Sequence, residues 1–250
     1  MKPYLISLIA ICFIVFTTQA RGGSEPAIRI ATIPQESTHI NIATDIITQL
    51  YQRLGQTLEL VPLKANESLA LSNQGELDGE LIRVKAIEKK YPNLVRIPYG
   101  INSLKTMAFT RINGPKVVGM GGLLGKKVGY LRGIELYKSI TKNLENEEFY
   151  SIKSMFQGLI HGGVDVVLFP LLDGQIYLRE QKLNDQVRMQ KNAIIEVKLY
   201  HYLHKSHNRL INDLNKLLKK MEASGELNHL VSEMEQKAGS FERNDRSEKN

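Results

Sequence analysis

Two short motifs in different halves of the chain constrain its fold most strongly. Gly75-Glu-Leu-Asp78 is followed by Gly-Glu-Leu-Ile, and Gly162-Gly-Val-Asp165 is followed by Val-Val-Leu. An amphipathic run precedes each glycine, so each motif predicts a helix that ends at glycine, a tight turn and a buried strand. One such unit is common in α/β proteins, but two of them predict two similar α/β lobes. A protein with two lobes usually has its binding site in the cleft between them.

The N-terminal segment, residues 1–20, has the pattern of a secretory signal peptide. Lys2 gives it a positive start, the stretch from Leu5 to Phe16 is apolar except for one serine, and small residues precede a cleavage site after Ala20. The alternative is a membrane anchor, but the apolar run is shorter than the ~20 residues that a helix needs to span a bilayer. We therefore predict that the rest of the chain is periplasmic, with no stable membrane anchor after cleavage.

The composition of the chain excludes several classes of function. Cys12 is the one cysteine, so the chain beyond the signal peptide has no disulfide, thiolate nucleophile or cysteine metal site. Export without cysteine predicts a protein that is held together by its own core. The net charge of +7, or +6 once Lys2 is removed, suits an anionic ligand, an anionic surface or simply a solvated basic surface. Because the basic residues are scattered and not interleaved with aromatic residues, we predict no nucleic-acid partner.

Strand-like and helix-like segments alternate along the chain. Residues 27–33 alternate with period two, as a strand does, and residues 40–54 have a helical spacing that ends at Gly55. The resulting order β-α-β-α-β predicts a mainly parallel sheet with helices on its faces. Extended segments at 103–111 and 193–203 predict two strands that cross between the lobes.

Polar residues near the carboxyl ends of the first-lobe strands are candidate ligand contacts. Glu36 and Thr38 lie in the loop after the first strand, and Glu80 and Arg83 lie near the end of the third. One hypothesis is that Arg83 caps a helix or pairs with Glu80 on the surface. The other is that Glu80 orients Arg83 in the cleft, where its guanidinium binds a carboxylate or a similar anion through two hydrogen bonds. Tyr99, in a predicted Pro-Tyr-Gly turn, would form part of the cleft wall.

The second lobe is predicted to start near Val117 and to offer a further anion site. A glycine-rich loop leads into a predicted strand, and a helix is predicted over 135–144. Arg132, Gly133 and Ile134 precede this helix, so the free backbone N–H groups of Gly133 and Ile134 would bind an anion. Neither the phosphate-loop motif nor the dinucleotide-binding motif occurs, and we predict no nucleotide site.

The candidate groups for catalysis or metal binding do not form a coherent set. Three histidines lie in the segment 201–207, but the first falls on a predicted strand, so we do not expect them to share one ligand face. Glu36, Glu80 and Asp173 are available carboxylates, but their spacing does not pair an acid with a base. No Gly-x-Ser-x-Gly nucleophile motif occurs. We predict no catalytic residue, no cofactor and no metal.

The order and spacing of several motifs resemble the family 3 periplasmic solute-binding proteins over residues 27–234. No single motif is highly specific, but their succession is. The motifs are the Gly-Glu-Leu-Asp-Gly turn at 75–79, Pro98-Tyr99, the segments 124–133 and 162–167, and His204-Lys205-Ser206 before the last helices.

This resemblance implies the α/β, two-lobed type 2 periplasmic-binding fold. Each lobe is then a mainly parallel sheet with flanking helices, and two crossing strands join the lobes. The implied organisation is a signal peptide at 1–20, the first lobe at 21–105, the second lobe at 106–195, a return to the first lobe at 196–236 and a disordered tail at 237–250.

The resemblance also implies a function. The expected activity is binding of a small polar, anionic solute in the cleft, for import by an ABC transporter. The alternatives are a sensory or accessory solute-binding domain without an importer, and a lyase that resembles cyclohexadienyl dehydratase on the same fold. The expected partners are the solute and an inner-membrane ABC permease or a sensor protein, and the protein is expected to be a monomer.

Two departures from the family pattern bear on the ligand. The arginine that is usual in amino-acid binders is missing from the segment 84–90. Pro170 stands at the position where those proteins have an aspartate for the amino group. An ordinary α-amino acid is therefore not the expected ligand.

Overall fold

The computed structural model describes residues 26–34 and 37–244, with side chains up to residue 238. The predicted signal peptide and Glu36 lie outside the described residues. No helix in the described part of the chain is both long enough and apolar enough to cross a membrane. The helices are α1 (Thr38–Arg53), α2 (Ala65–Gln74), α3 (Glu135–Thr141), α4 (Ile152–Ile160), α5 (Leu171–Glu180), α6 (Asn208–Ala223) and α7 (Glu226–Asn244), with short 3₁₀ helices at Lys85–Lys89, Met120–Leu123 and Lys205–His207.

The described strands are β1 (Ile28–Thr32), β2 (Leu58–Pro62), β3 (Gly79–Val84), β4 (Leu94–Arg111), β5 (Val128–Leu131), β6 (Asn146–Phe149), β7 (Val166–Pro170), β8 (Val187–Met189) and β9 (Ile195–His204). They form one nine-stranded sheet in the order β2-β1-β3-β9-β4-β7-β5-β6, with β8 paired to β4. The pairs β1–β2, β1–β3, β5–β6 and β5–β7 are parallel, and β9 and β4 join the two parallel regions through antiparallel pairs.

Two large apolar cores lie on either side of the crossing strands. The first contains buried side chains of α1, α6 and α7, and β4 contributes Ile97 and Ile101 to it. The second contains buried side chains of α4 and β7, and β4 contributes Met107 and Phe109 to it. One strand therefore passes from one core to the other. The predicted two-lobed α/β architecture with two crossing strands is confirmed.

The strand β4 is longer than the sequence suggested. The Pro98-Tyr99-Gly100 segment, predicted as a turn, lies within this 18-residue strand. Its pairing with β9 shifts register between Arg96 and Asn102. Proline has no N–H to donate to a sheet, so a bulge at this point keeps the strand continuous while the ladder is interrupted.

Glycine ends the helix before each of the two repeated motifs. Gly75 follows α2 with a φ of +81°, and Gly162 lies just beyond α4 with a φ of +80°. This left-handed conformation is common for glycine at the end of a helix and costly for other residues. The predicted helix, turn and strand succession is confirmed in both lobes.

The aspartates of the two motifs have matching structural roles. The Asp78 carboxylate accepts a hydrogen bond from the backbone N–H of Arg29 in β1 at 2.7 Å. The Asp165 carboxylate accepts one from the backbone N–H of Lys127, just before β5, at 3.0 Å. Each aspartate thus ties its turn to the neighbouring strand. The repeated motif builds the lobes and says nothing about a ligand.

The C-terminal helix extends further than predicted. Residues 237–250 were predicted to be a disordered tail, but α7 continues to Asn244. Met234 is buried in the first core, and Ala238 packs against it. These two contacts hold α7 against the first lobe beyond residue 236. Residues 245–250 lie outside the described part.

Substitution of two glycines should separate steric overlap from backbone strain. A Cβ on Gly79 would lie 2.1 Å from the carbonyl oxygen of Tyr202 in β9, whereas a Cβ on Gly162 would meet only the Arg111 side chain, at 3.7 Å. We expect Gly79→Ala to lower the free energy of unfolding by about 3 kcal/mol or more. We expect Gly162→Ala to lower it by only about 1 kcal/mol, through its positive φ. Urea denaturation of both variants tests this, and equal losses would contradict it.

A buried histidine should make the stability of the protein depend on pH. The Nδ1 of His201 lies 3.1 Å from the carbonyl oxygen of Leu81, and its Nε2 lies 2.9 Å from the Tyr51 hydroxyl. Since a carbonyl can only accept, Nδ1 carries the proton and Nε2 accepts from Tyr51. Burial lowers the pKa of His201 from 6.5 to about 4, and hydrogen bonds to backbone carbonyls only partly oppose this.

The unfolded chain therefore binds a proton at His201 before the folded protein does. We expect the free energy of unfolding to fall by about 1.4 kcal/mol per pH unit between the two pKa values, about 3 kcal/mol in total, as the pH is lowered. His201→Gln should be less stable at neutral pH and should lack this component of the pH dependence. Urea denaturation at several pH values measures the difference, and parallel pH profiles for the two proteins would show that His201 is not its source.

Candidate functional site

A carboxylate of the second lobe reaches the start of α1 in the first lobe. Asp173 lies in the first turn of α5. Its Oδ1 accepts hydrogen bonds from the backbone N–H of Thr38 at 2.9 Å and from the Thr38 hydroxyl at 2.6 Å. Its Oδ2 lies 3.4 Å from Nδ1 of His39. The contact joins residues 135 positions apart in the chain and bridges the lobes directly.

This contact provides a hydrogen-bond acceptor that the N-terminus of α1 otherwise lacks. The first N–H groups of a helix have no partner within the helix and favour a negative charge. The residue before α1, Ser37, forms no side-chain cap, and the first turn contains no acidic residue. The carboxylate of Asp173 therefore takes the place of a local cap.

The surroundings of the contact exclude most solvent. The side chains of His39 and Asp173 are 8% and 17% exposed, and Leu172 packs against the first core. The side-chain amide of Asn102, in the irregular part of β4, donates to the backbone carbonyl of His39 at 2.9 Å. Hydrogen bonds to a charged group are stronger when they are shielded in this way.

The electrostatics of the site keep Asp173 ionised. Burial alone would raise the pKa of its carboxyl group. The contact with His39 and the hydrogen bonds from the side chain and backbone of Thr38 more than offset this effect, so the pKa of Asp173 lies below its ordinary value. The negative charge at the start of α1 is therefore present at neutral pH.

Of the candidate residues after β1, the structure describes only Thr38, and it places Thr38 at the bridge between the lobes. The sequence shows Asp173 only as an available carboxylate, and its contact with α1 is not predicted. One signal was present in the sequence, since Asp173 follows a strand end in the second lobe just as Thr38 does in the first. His39 was not predicted to take part.

Glu80 and Arg83, both in β3, form a buried ion pair that contacts α2. Their side chains are 0% and 8% exposed, and Arg83 Nη2 lies 2.6 Å from Glu80 Oε2. Ser72 donates to Glu80 Oε1 at 2.8 Å, and Arg83 Nη2 donates to Ser68 Oγ at 2.7 Å. The hypothesis of a surface pair is therefore half right, because the pair forms but is buried. A bulge between Glu80 and Arg83 places both side chains on the α2 side of the sheet.

The burial of this pair has an energetic consequence. Burial raises the pKa of Glu80, and the charge of Arg83 and the hydroxyl of Ser72 act against the rise. The Nε of Arg83 is buried without a hydrogen-bond partner. The pair therefore depends on its few contacts, and loss of one member leaves the other as a buried charge without its partner.

The remaining candidates lie at the start of α3 and on β4. Arg132 is 57% exposed at its side chain, lies 3.7 Å from Glu148 and stacks on the ring of Tyr150 at 5.0 Å. Gly133 and Ile134 directly precede α3, and Ile134 packs against the second core. Tyr99 packs against the first core. The structure thus brings Thr38 to Asp173 and Glu80 to Arg83, while Arg132 keeps its contacts within the second lobe.

The helix α3 is shorter than predicted. It was expected to extend over 135–144 but ends at Thr141. The side-chain amide of Asn146 donates to the backbone carbonyls of Thr141 and Leu144 at 3.2 and 2.9 Å. In a longer helix these carbonyl groups would accept hydrogen bonds from backbone N–H groups of the next turn. The Asn146 side chain takes the place of those N–H groups, so the helix ends and the chain turns into β6. In the described part of the chain, no group of three or more His, Cys, Asp or Glu side chains could hold a metal ion.

Solved structures share this fold. The GluR0 ligand-binding core in complex with L-glutamate matches with a TM-score of 0.68 and 15% identity, over 85% of this chain and 99% of that chain. A histidine kinase sensor domain with similarity to periplasmic binding proteins matches with a TM-score of 0.65 and 15% identity, over 84% and 96%. The substrate-binding protein of an amino acid ABC transporter matches with a TM-score of 0.59 and 17% identity, over 84% and 99%. The chain has the two-lobed fold of periplasmic binding proteins, as predicted.

A relative in sequence gives the family. A protein of Shewanella oneidensis, described as uncharacterised, is 31% identical over 202 residues, which span 77% of this chain and 75% of that protein. The chain belongs to the family of this Shewanella protein. No family model matches the chain, so membership of family 3 of the solute-binding proteins stays a prediction.

The ion pair between Glu80 and Arg83 can be tested separately from any ligand. We expect Arg83→Met to lower the free energy of unfolding by about 3–5 kcal/mol, because it leaves Glu80 buried without its partner. The double variant Glu80→Gln, Arg83→Met should recover part of this loss, since no uncompensated charge remains. Guanidinium denaturation measures both values.

Arg132→Met is the matched control, because its ion pair is largely exposed. We expect it to cost about 1 kcal/mol or less. If Arg83→Met were as mild as this control, the buried pair would not have the structural role that its geometry indicates.

Proposed function

We propose that the protein binds a small polar solute in the cleft between its two lobes, in the periplasm, as a solute-binding protein of the family 3 type. The observation on which this rests is the contact of Thr38 with Asp173 at 2.6 Å, which joins the start of α1 in the first lobe to the start of α5 in the second lobe. A contact that forms only when the lobes meet is what a protein needs if a solute is to shift it between open and closed states.

Delivery of the solute to an ABC permease is our leading proposal. The substrate-binding protein of an amino acid ABC transporter has this fold, and residues 1–20 have the pattern of an export signal. A sensory role is the second candidate, because a histidine kinase sensor domain has the same fold over 84% of this chain. Either role uses the same cleft, and the partner would recognise how far the lobes are closed.

We propose binding without catalysis. Glu80 is committed to Arg83 and two serines, and Asp173 is committed to Thr38. A general acid or base must reach a proton of the substrate. Neither carboxylate is placed as a free member of an acid and base pair.

A thermal-shift screen of amino acids, organic acids and polyamines tests the proposed function. A solute at 100 times its Kd should add ~2.7 kcal/mol to the free energy of unfolding, which gives a clear rise in Tm. Small-angle scattering with and without the best compound should then show a change in the radius of gyration. A screen with no stabilising compound, together with turnover of an organic acid, would favour the lyase instead.

A further inference from the structure

Three groups at the start of α1 surround one carboxylate. The backbone N–H and the hydroxyl of Thr38 donate hydrogen bonds to Asp173 at 2.9 and 2.6 Å, and Nδ1 of His39 lies 3.4 Å from Asp173 Oδ2 without a hydrogen bond. We call these three groups the carboxylate cradle. All three belong to the first lobe, whereas the carboxylate belongs to the second. The helix behind the cradle is 16 residues long, so its N-terminus adds a favourable field for an anion.

His39 gives independent support for an anion site. Its side chain is 8% exposed, and its Nδ1 is buried without a hydrogen-bond partner. This Nδ1 nevertheless lies 3.4 Å from Oδ2 of Asp173. A buried polar atom without a partner is costly in a folded protein. The cradle therefore has a donor that Asp173 does not fully use, and a carboxylate free to adjust its position could use it.

Asp173 is held in the cradle by its attachment to the other lobe. The bridging strands β4 and β9 connect the lobes, so the carboxylate remains close even when the contact breaks, and its effective concentration at the cradle is high. A carboxylate from solution can enter only when the lobes move apart or when Asp173 is removed.

We infer that the cradle is a carboxylate-binding site, that the protein fills it with Asp173 when the lobes meet, and that a carboxylate-bearing solute takes the same place when they part. This inference rests on the proposed solute-binding function and names the chemical class of the solute. It also assigns Thr38 and His39, and not Arg83, as the carboxylate contacts.

Chemical rescue with acetate tests the inference. Asp173→Ala empties the cradle, and we expect a lower Tm than in the unsubstituted protein. Sodium acetate should raise the Tm of Asp173→Ala more than sodium chloride does at the same ionic strength. The unsubstituted protein should show no such difference, because the tethered carboxylate competes. We expect acetate to bind Asp173→Ala at least about tenfold more tightly than the unsubstituted protein.

Three further proteins make the test specific. Asp185→Ala, at an exposed position of the second lobe, should behave as the unsubstituted protein does. The double variant Asp173→Ala, His39→Phe lacks one donor and should lose most of the acetate effect. Asp173→Asn keeps the volume of the side chain and serves if Asp173→Ala does not fold. In the NMR spectra of both Asp173→Ala and Asp173→Asn, acetate should shift the signal of the Thr38 backbone amide.

The inference is overturned if acetate affects Asp173→Ala and the unsubstituted protein equally, or if the Thr38 amide signal does not respond in either Asp173 variant. These outcomes do not depend on finding the natural solute. A solute identified by the thermal-shift screen could still bind elsewhere in the cleft. In that case the proposed function would be correct, but the inference that the cradle binds a carboxylate would be wrong.

Discussion

The antiparallel pairing of β4 with β9 connects the two lobes and sets their positions relative to the central strands. Leu94 pairs with His204 at one end of this ladder, and Thr106 pairs with Ile195 at the other. On one side β9 pairs with β3 of the first lobe, and on the other β4 pairs with β7 of the second. The two parallel regions are therefore attached to one central pair of strands, and the strand ends of both lobes are kept close enough to meet.

The contact of Asp173 with Thr38 follows from this arrangement. The irregular part of β4 contains Asn102, whose side chain fixes the backbone carbonyl of His39. The start of α1 is thus held against a crossing strand on one side and meets the carboxylate on the other. Hydrogen bonds from a helix N-terminus to a shielded carboxylate favour its ionised form, which agrees with the lowered pKa of Asp173. The contact both caps a helix and joins two lobes.

The fold could be predicted from the sequence to a large extent, because its signals are local. Gly75 and Gly162 mark helix ends through their backbone conformation. The spacing of the apolar residues around these glycines predicts the strands and helices. The continuity of β4 through Pro98 was missed, because a bulge is decided by pairing with another strand and not by the residues themselves.

The site was less predictable because it depends on contacts between distant residues. The sequence placed Glu80 and Arg83 near a strand end, but the bulge that turns both toward α2 is not visible in the residue types. Thr38 was predicted to be a ligand contact. Its partner Asp173, 135 residues away, could not be assigned before the relative position of the lobes was known.

If the carboxylate of Asp173 holds the lobes together at the start of α1, its loss should change the distance between the lobes. The chain beyond the predicted signal peptide contains no cysteine, so Gln52→Cys in α1 and Gln181→Cys just beyond α5, both at exposed positions, would take the only two spin labels. Pulsed dipolar spectroscopy without added solute should give one narrow distance distribution, and Asp173→Asn should shift it to longer distances. The same distribution with and without Asp173→Asn would show that Asp173 does not hold the lobes together.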